Sequence, residues 1–246
     1  MDHIIYTAMS GASATASRQA VLANNLANAT TNGFRAEMMS FRAVPVQGDG
    51  AKTRVFSLEA TAGYVDTPGP VQRTGRNLDA MPQGNAWFAV QALDGTEAYT
   101  RAGTFEVTAQ GQLLNDKGQT VLSDGGAPID VPPDSEVTLG SDGTVSVRTG
   151  DQPAVQLARL KLVTPEAGTR LQRGADGLFR TPDGEPLQSD ANARIQTGAV
   201  EGSNVNAIES MVSIIDAARS FEHQMRLLQT AESDDKSASQ LLSVTA

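Results

Sequence analysis

Ala23-Asn24-Asn25-Leu26-Ala27-Asn28-Ala29-Thr30-Thr31-Asn32-Gly33-Phe34 closes the stretch on which the fold turns. Upstream of it, Ile5, Met9, Ala12, Ala16, Ala23 and Leu26 recur at spacings of 4, 3, 4, 7 and 3, with Gln19 filling the skipped position. That is a heptad-like seam on one face of a helix. Asp2 can cap its start, and Asn32-Gly33 stops it. The seam is rich in Ala, so it allows close approach of a second helix but offers few large anchors.

The far end of the chain answers it. Ser203, Asn204 and Val205 lead into Asn206, and Asn206 and Glu209 have the spacing of a capping box. Ile208, Met211, Val212, Ile215, Ala218, Phe221, Met225 and Leu228 then follow at helical spacing. A helix from Asn206 to Leu228 spans roughly 35 Å at ~1.5 Å per residue. Neither helix can bury its stripe alone, because an isolated helix gains little in water. The two termini are therefore expected to pair, and to need further copies to complete their burial.

Between the termini the period changes from helical to two. Trp87-Phe88-Ala89-Val90 before Asp94-Gly95, and Val137-Thr138-Leu139 before Asp142-Gly143, read as hairpins. Leu157 to Val163 alternates as one strand, and Asp-Gly pairs recur at 49, 94, 124, 142, 176 and 183. Gly48 to Ala51 reads as a flexible turn, and Pro45, Pro68 and Pro70 oppose helix. The fold class expected is α+β: N- and C-terminal helices paired into a coiled-coil-like domain, with an inserted antiparallel β-rich domain. The expected boundaries are 1–34 and 203–246 for the helical domain, 35–77 and 190–202 for an extended connector, and 78–189 for the β domain.

Composition excludes several functions. The chain has 246 residues, 19 basic against 28 acidic, and only four Lys, which disfavours nucleic-acid and anionic-membrane partners. No Cys is present, so thiolate chemistry and Cys-ligated metal are out. No apolar window is long enough to span a bilayer, and no basic leader with an apolar core marks a cleaved signal.

Chemistry-bearing motifs are also missing. His3 and His223 lie far apart, and neither belongs to an HExxH pattern. There is no P-loop, nucleophile elbow or dinucleotide fingerprint. The Asp-Gly turns lack calcium-loop spacing, and Glu232, Asp234, Asp235 and Lys236 read as a solvated helix face. No catalytic, cofactor or metal site is expected. Asn24, Asn25 and Asn28 are poor mid-helix residues; they read either as a fraying helix end or as amides that bond backbone or neighbouring copies.

Three segments carry a family resemblance. Ala23 to Phe34, Tyr99-Thr100-Arg101-Ala102-Gly103-Thr104-Phe105 with Gly111-Gln112-Leu113, and Gly198-Ala199-Val200-Glu201-Gly202-Ser203-Asn204-Val205 resemble, in order, the signature motifs of the bacterial flagellar rod and hook family. Met1 to Met9 and Phe41-Arg42-Ala43-Val44-Pro45-Val46 look most like its proximal-rod members, with distal-rod and hook-type members the alternative. The resemblance implies a non-enzymatic axial subunit, exported through the flagellar type III channel without cleavage and stacked helically in the rod that crosses the periplasm. It implies other rod subunits and the export apparatus as partners. It favours the partner-bonding reading of the asparagines, and reads 35–77 as the connector between helical core and outer domain.

The assembly interface is then expected at the seam residues Ile5, Met9, Ala12, Ala16, Ala23 and Leu26, at Asn24, Asn25, Asn28, Gly33 and Phe34, and at Ser203, Asn204, Val205, Ile208, Val212, Ile215, Phe221, Met225 and Leu228. The reading from a different class is a secreted β-domain ligand-binding module, for glycan for instance, oligomerised by its helices. It needs an exposed aromatic platform, whereas Trp87, the single Trp, lies in a run that reads as buried.

Overall fold

The computed structural model describes residues 2–45, 55–166 and 168–244. The turn read at Gly48 to Ala51 lies outside the described residues, as do Val46 and the side chain of His3. The chain forms two compact units, one of residues 1–29, 36–65 and 205–246, the other of residues 30–35 and 66–204.

The first unit is built on two helices, α1 (Asp2–Ala27) and α2 (Ala207–Val244). They run antiparallel. Thr15, in the middle of α1, lies beside Gln224, whose Nε2 donates to Thr15 Oγ1 at 3.4 Å. The C-terminal exit of α1 and the lead into α2 are joined by the Asn204 N–H bond to Phe34 O at 3.2 Å. α2 runs 16 residues past the expected stop at Leu228 (244 − 228). Nothing between Gln229 and Val244 is Gly or Pro, and Lys236 pairs with Glu232 one turn away at 2.6 Å, so the helix has no reason to end. The start of α2 is capped as expected, with Asn206 Oδ1 accepting from the N–H groups of Ile208 and Glu209.

The same unit holds a ribbon of β1 (Glu37–Pro45) and β2 (Val55–Tyr64), antiparallel throughout with a register shift between Ser40 and Phe41. Residues 37–45 and 55–64 of the expected extended connector are therefore paired strands. The alternation of β1 is visible in retrospect: Met39 and Phe41 are half-buried, while Met38, Ser40 and Arg42 face water. Ser10 of α1 hydrogen-bonds Ser57 of β2 through its hydroxyl, at 3.2 Å to both N and O.

The second unit is antiparallel β throughout. In chain order come β3 (Val71–Arg73), β4 (Ala80–Pro82), β5 (Trp87–Gln91), β6 (Glu97–Thr100), β7 (Phe105–Val107), β8 (Leu113–Asn115) and β9 (Thr120–Val121). Then follow β10 (Ser135–Leu139), β11 (Thr144–Thr149), β12 (Val155–Arg159), β13 (Leu162–Val163), β14 (Gln172–Arg173), β15 (Phe179–Arg180), β16 (Ile195–Thr197) and β17 (Ala199–Glu201). The largest sheet orders β14-β15-β6-β5-β9-β8-β7, with β13 also paired to β5. β10-β11-β12 form a second sheet, and β16-β4 and β17-β3 form two short ribbons.

The expected hairpins form at Asp94-Gly95 and Asp142-Gly143, where Gly95 and Gly143 take positive φ. Leu157 to Val163 is two strands rather than one. β12 pairs β11 and β13 pairs β5, because Leu160, Leu162 and Val163 are all buried where the chain passes from one sheet to the other. The core gathers Phe88, Val90, Phe105, Leu113, Ile129, Val145, Leu160, Leu162, Leu178 and Ile195, with Phe88 and Phe105 edge to face at 5.1 Å. The fold is α+β, with the terminal helices packed together and a β-rich region inserted between them.

Candidate assembly faces and the meeting point of the three motifs

The N-terminal seam read from sequence divides in the structure. Ile5, Ala8, Ala12, Thr15, Gln19, Leu22 and Leu26 are buried or half-buried and recur at 3 and 4. Met9, Ala16 and Ala23 belong to a second stripe, with Tyr6, Ser13, Ala20 and Ala27, at the same spacing but exposed along its whole length. Small residues all round α1 let one helix carry two heptad-spaced faces, and position 5 onward cannot tell which is inner. At the contact itself a Cβ on Gly11 would stand 3.0 Å from the Gln224 amide, so glycine permits the close approach.

The C-terminal stripe divides in the same way. The face turned inward is Ser210, Ile214, Ala217, Phe221, Gln224, Leu228 and Ala231. Of the residues read as one stripe, Phe221 and Leu228 are on it, whereas Ile208 (77% exposed), Met211, Val212, Ile215 and Met225 face water. The stronger apolar residues are on the outer side, because the inner side meets a helix of small residues. His223 is exposed.

Other residues expected at the interface are spent inside the chain. Asn25 is buried, and its amide donates to Glu37 O at 2.9 Å and accepts from Glu37 N–H at 2.8 Å, imitating a strand pairing to β1. Asn28 Nδ2 donates to Asn24 O at 2.9 Å and so extends the helix end. Asn24 is exposed. Gly33, Phe34 and Ser203 are buried, and Asn204 and Val205 half-buried.

They close a point that sequence reading missed, where all three motifs meet within the second unit. Glu201, 1% exposed, takes Arg35 Nη2 at 3.0 Å on one carboxylate oxygen and Arg101 Nε at 2.6 Å on the other, and both arginines are 2% exposed. Gly69 N–H adds a third bond to Glu201 at 3.1 Å. The other donors of Arg101 reach the carbonyls of Pro82, Gly84 and Ala86 at 2.7–3.1 Å, and its guanidinium lies 5.6 Å over Trp87. Arg35 Nη1 donates to the carbonyls of Asp66 and Thr67. The planar fork of Arg is what allows one side chain to serve several fixed acceptors.

Glycine is required here for contact rather than flexibility. A Cβ on Gly33, at φ 68°, would stand 2.3 Å from Ala102 N, and one on Gly103 only 1.6 Å from Ala80 O. The signal available in sequence was that Arg35, Arg101 and Glu201 each sit inside or beside a motif, but nothing in spacing joins them.

Titratable groups elsewhere serve turns. Thr96 holds the Asp94 carboxyl below its ordinary value by hydrogen bonding, Thr144 does so for Asp142, Arg180 for Asp176 and Thr164 for Asp190. Burial pushes Asp116 up, and burial likewise raises Tyr99, whose hydroxyl donates to Glu97 and accepts from Leu187 N–H. Among the described residues no cluster of His, Asp and Glu gathers as a metal site, and no helix is long and apolar enough to cross a membrane. Trp87 is 1% exposed against Phe179, so it offers no platform to a ligand.

A helical pair from the two chain ends, and an inserted β unit within which the three motifs converge, are the arrangement expected of an axial flagellar protein. Family models agree: "Flagella basal body rod protein" matches residues 5–35, "Flagellar hook protein FlgE/F/G D1 domain" residues 82–147, and "Flagellar basal body rod FlgEFG protein C-terminal" residues 196–241. The chain is 44% identical to the flagellar basal-body rod protein FlgF of Escherichia coli and 45% to that of Salmonella typhimurium, each over the whole of both chains. It is 32% identical to FlgF of Caulobacter vibrioides over 97% of each, and 28% to FlgG of Bacillus subtilis over 93% and 94%. The chain belongs to the flagellar basal-body rod protein family, and within it is most like FlgF. It is a structural subunit of the rod.

Proposed function

We propose that the chain is an axial building block of the proximal rod that performs no chemistry and stacks helically on its own copies and on neighbouring rod proteins. It is exported through the flagellar channel to the rod that crosses the periplasm, and it carries torque through many interlocked subunits. The domain division that goes with this reading is a helical core at 1–34 and 203–246, a connector at 35–77 and 190–202, and an outer β domain at 78–189.

The observation that carries the proposal is the pair of exposed stripes: Tyr6, Met9, Ser13, Ala16, Ala20, Ala23 and Ala27 on α1, and Ile208, Met211, Val212 and Ile215 on α2. One is narrow and small-sided, the other bulky and apolar. Two different faces on one chain favour a heterologous contact that does not close, which generates a filament. Burying Ile208, Met211, Val212 and Ile215 contributes about 1.5–3 kcal/mol each.

The test is a strain carrying only Met211→Ser with Ile215→Ser, beside a strain lacking residues 206–246. Both are expected to lose swimming, with the double variant secreted but absent from purified basal bodies. Normal swimming by the deletion strain would falsify the proposal.

A further inference from the structure

The chain passes between its two units four times, at 29–30, 35–36, 65–66 and 204–205. On the side of the second unit, those passages are bound to one another around one ionic group. Arg35 reaches Glu201 and the carbonyls of Asp66 and Thr67; Asn204 reaches Phe34 O and, through its amide, Thr67 O at 2.8 Å; Gly33 N–H reaches Glu201 O at 2.7 Å; and Phe34 N–H reaches Thr31 O at 3.3 Å. Arg101 ties the same carboxylate to the turn before β5.

We propose that the Arg35–Glu201–Arg101 triad is a latch, with Glu201 as its positioning residue, that holds all four passages in one register so that load entering the β unit is shared by four strands of chain. The proposal rests on the reading of the chain as a rod subunit. Its physical basis is the asymmetry of buried charge. An ion pair in the interior adds little stability over an apolar packing of the same volume, but removing one partner leaves the other charge stranded, so the arrangement specifies a geometry more than it strengthens it. Two guanidiniums on one carboxylate leave a surplus positive charge, which the carbonyls of residues 66, 67, 82, 84 and 86 offset by accepting from the arginines. Glu201 can hold both arginines only when the chain before residue 36 and the chain after residue 200 are in place together.

Three measurements on the full chain test this. In the unaltered protein, hydrogen exchange in graded denaturant is expected to show residues 30–36, 66–72 and 199–204 opening with one common denaturant dependence, separate from β5 and β6. Independent opening of these three segments overturns the proposal. In Glu201→Gln, exchange at the three segments is expected to rise at least tenfold while β5 and β6 stay protected; unchanged exchange, or an equal rise everywhere, overturns it.

The triple variant Arg35→Met, Arg101→Met, Glu201→Leu removes the buried charges while keeping volume. It is expected to melt below the parent, because the carbonyls of residues 66, 67, 82, 84 and 86 lose their donors, but to fold and enter basal bodies in parent amounts, and to swim markedly more slowly than the parent in viscous medium with equal speed in dilute medium. Parent-like swimming in viscous medium shows that the ionic geometry is dispensable and overturns the latch. Absence of the unaltered protein from basal bodies would instead overturn the rod reading on which the latch rests.

Discussion

At the scale of single residues, glycine and charged turns do most of the specifying. A Cβ at Gly103 would drive into the Ala80 carbonyl at 1.6 Å, and one at Gly33 into Ala102 N at 2.3 Å with φ already positive, whereas Gly75 has positive φ and nothing within 4 Å. Gly75→Ala is therefore expected to cost only the left-handed penalty of roughly 1–2 kcal/mol. Gly33→Ala and Gly103→Ala add backbone collision and should cost above ~4 kcal/mol. Urea unfolding followed by Trp87 fluorescence separates these outcomes, and equal costs at all three positions would contradict the geometry.

The turn carboxylates give a pH dependence whose sign follows from their direction. Asp176, held low chiefly by Arg180, and Asp142, held low by Thr144, contribute stability that is present above about pH 4, the ordinary Asp value, and is lost as pH falls through their folded values. Asp116, raised by burial, has the opposite sign, its share being present in acid and lost as pH rises through its folded value. The urea midpoint of the β unit is expected to fall between pH 5 and pH 3, and to fall less in Asp176→Asn.

At the scale of elements, each terminal helix has an inner and an outer face, and they answer differently to substitution. Ile214→Ala and Phe221→Ala act on the face of α2 turned inward and should lower the stability of the helical unit by about 1–3 kcal/mol, somewhat less than a full core truncation because both side chains are only half-buried. Ile208→Ala and Ile215→Ala act on exposed positions and should leave circular dichroism and melting of the monomer within about 0.5 kcal/mol of the parent. A large loss from Ile215→Ala in a monomer would mean the outer face is already covered.

This division also marks how far the sequence could be read. The existence of α1, the cap at Asn206 and the hairpins at residues 94 and 142 were legible, because cap, turn and period are local chemistry, whereas α1 stops at Ala27, five residues before the Asn-Gly pair read as its end. Which side of α1 is inner was not legible, since Ala and Ser at almost every position satisfy both periods. In the β1–β2 ribbon a short strand at 55–58 was legible, but its pairing with 37–45 was not: Pro45 spoke only against helix, and proline is tolerated at a strand's end. The end of α2 was missed because polar residues 229–240 read as a tail, though they contain neither Gly nor Pro to stop the helix. The meeting of Arg35, Arg101 and Glu201 is a property of the fold, and no periodicity encodes contacts across 166 and 100 residues.

At the scale of the whole molecule, the two units differ in how much they bury for themselves. In the β unit Trp87, Phe88, Tyr99, Phe105, Leu113, Leu160 and Leu162 are within 1% of full burial, and Glu201 with its arginines is sealed among them. Among the described helix residues only Ala12, Asn25, Ser210 and Ala217 are buried, none of them a large apolar side chain, while Met9, Ile208, Met211, Val212 and Ile215 remain in water. Ordering a residue costs ~1–2 kcal/mol of backbone entropy, which burial of Ala and Ser cannot offset. A helix pair of this kind opens locally at little cost until an added copy covers the outer stripes. In a proven monomer, amide exchange across residues 5–26 and 208–228 is therefore expected to run at least a hundredfold faster than in β5 and β6. In assembled rods the difference should shrink as the helices gain protection. Strong protection of both helices in the monomer, equal to that of the β unit, would mean that the helical unit is complete by itself and that assembly adds nothing to its order.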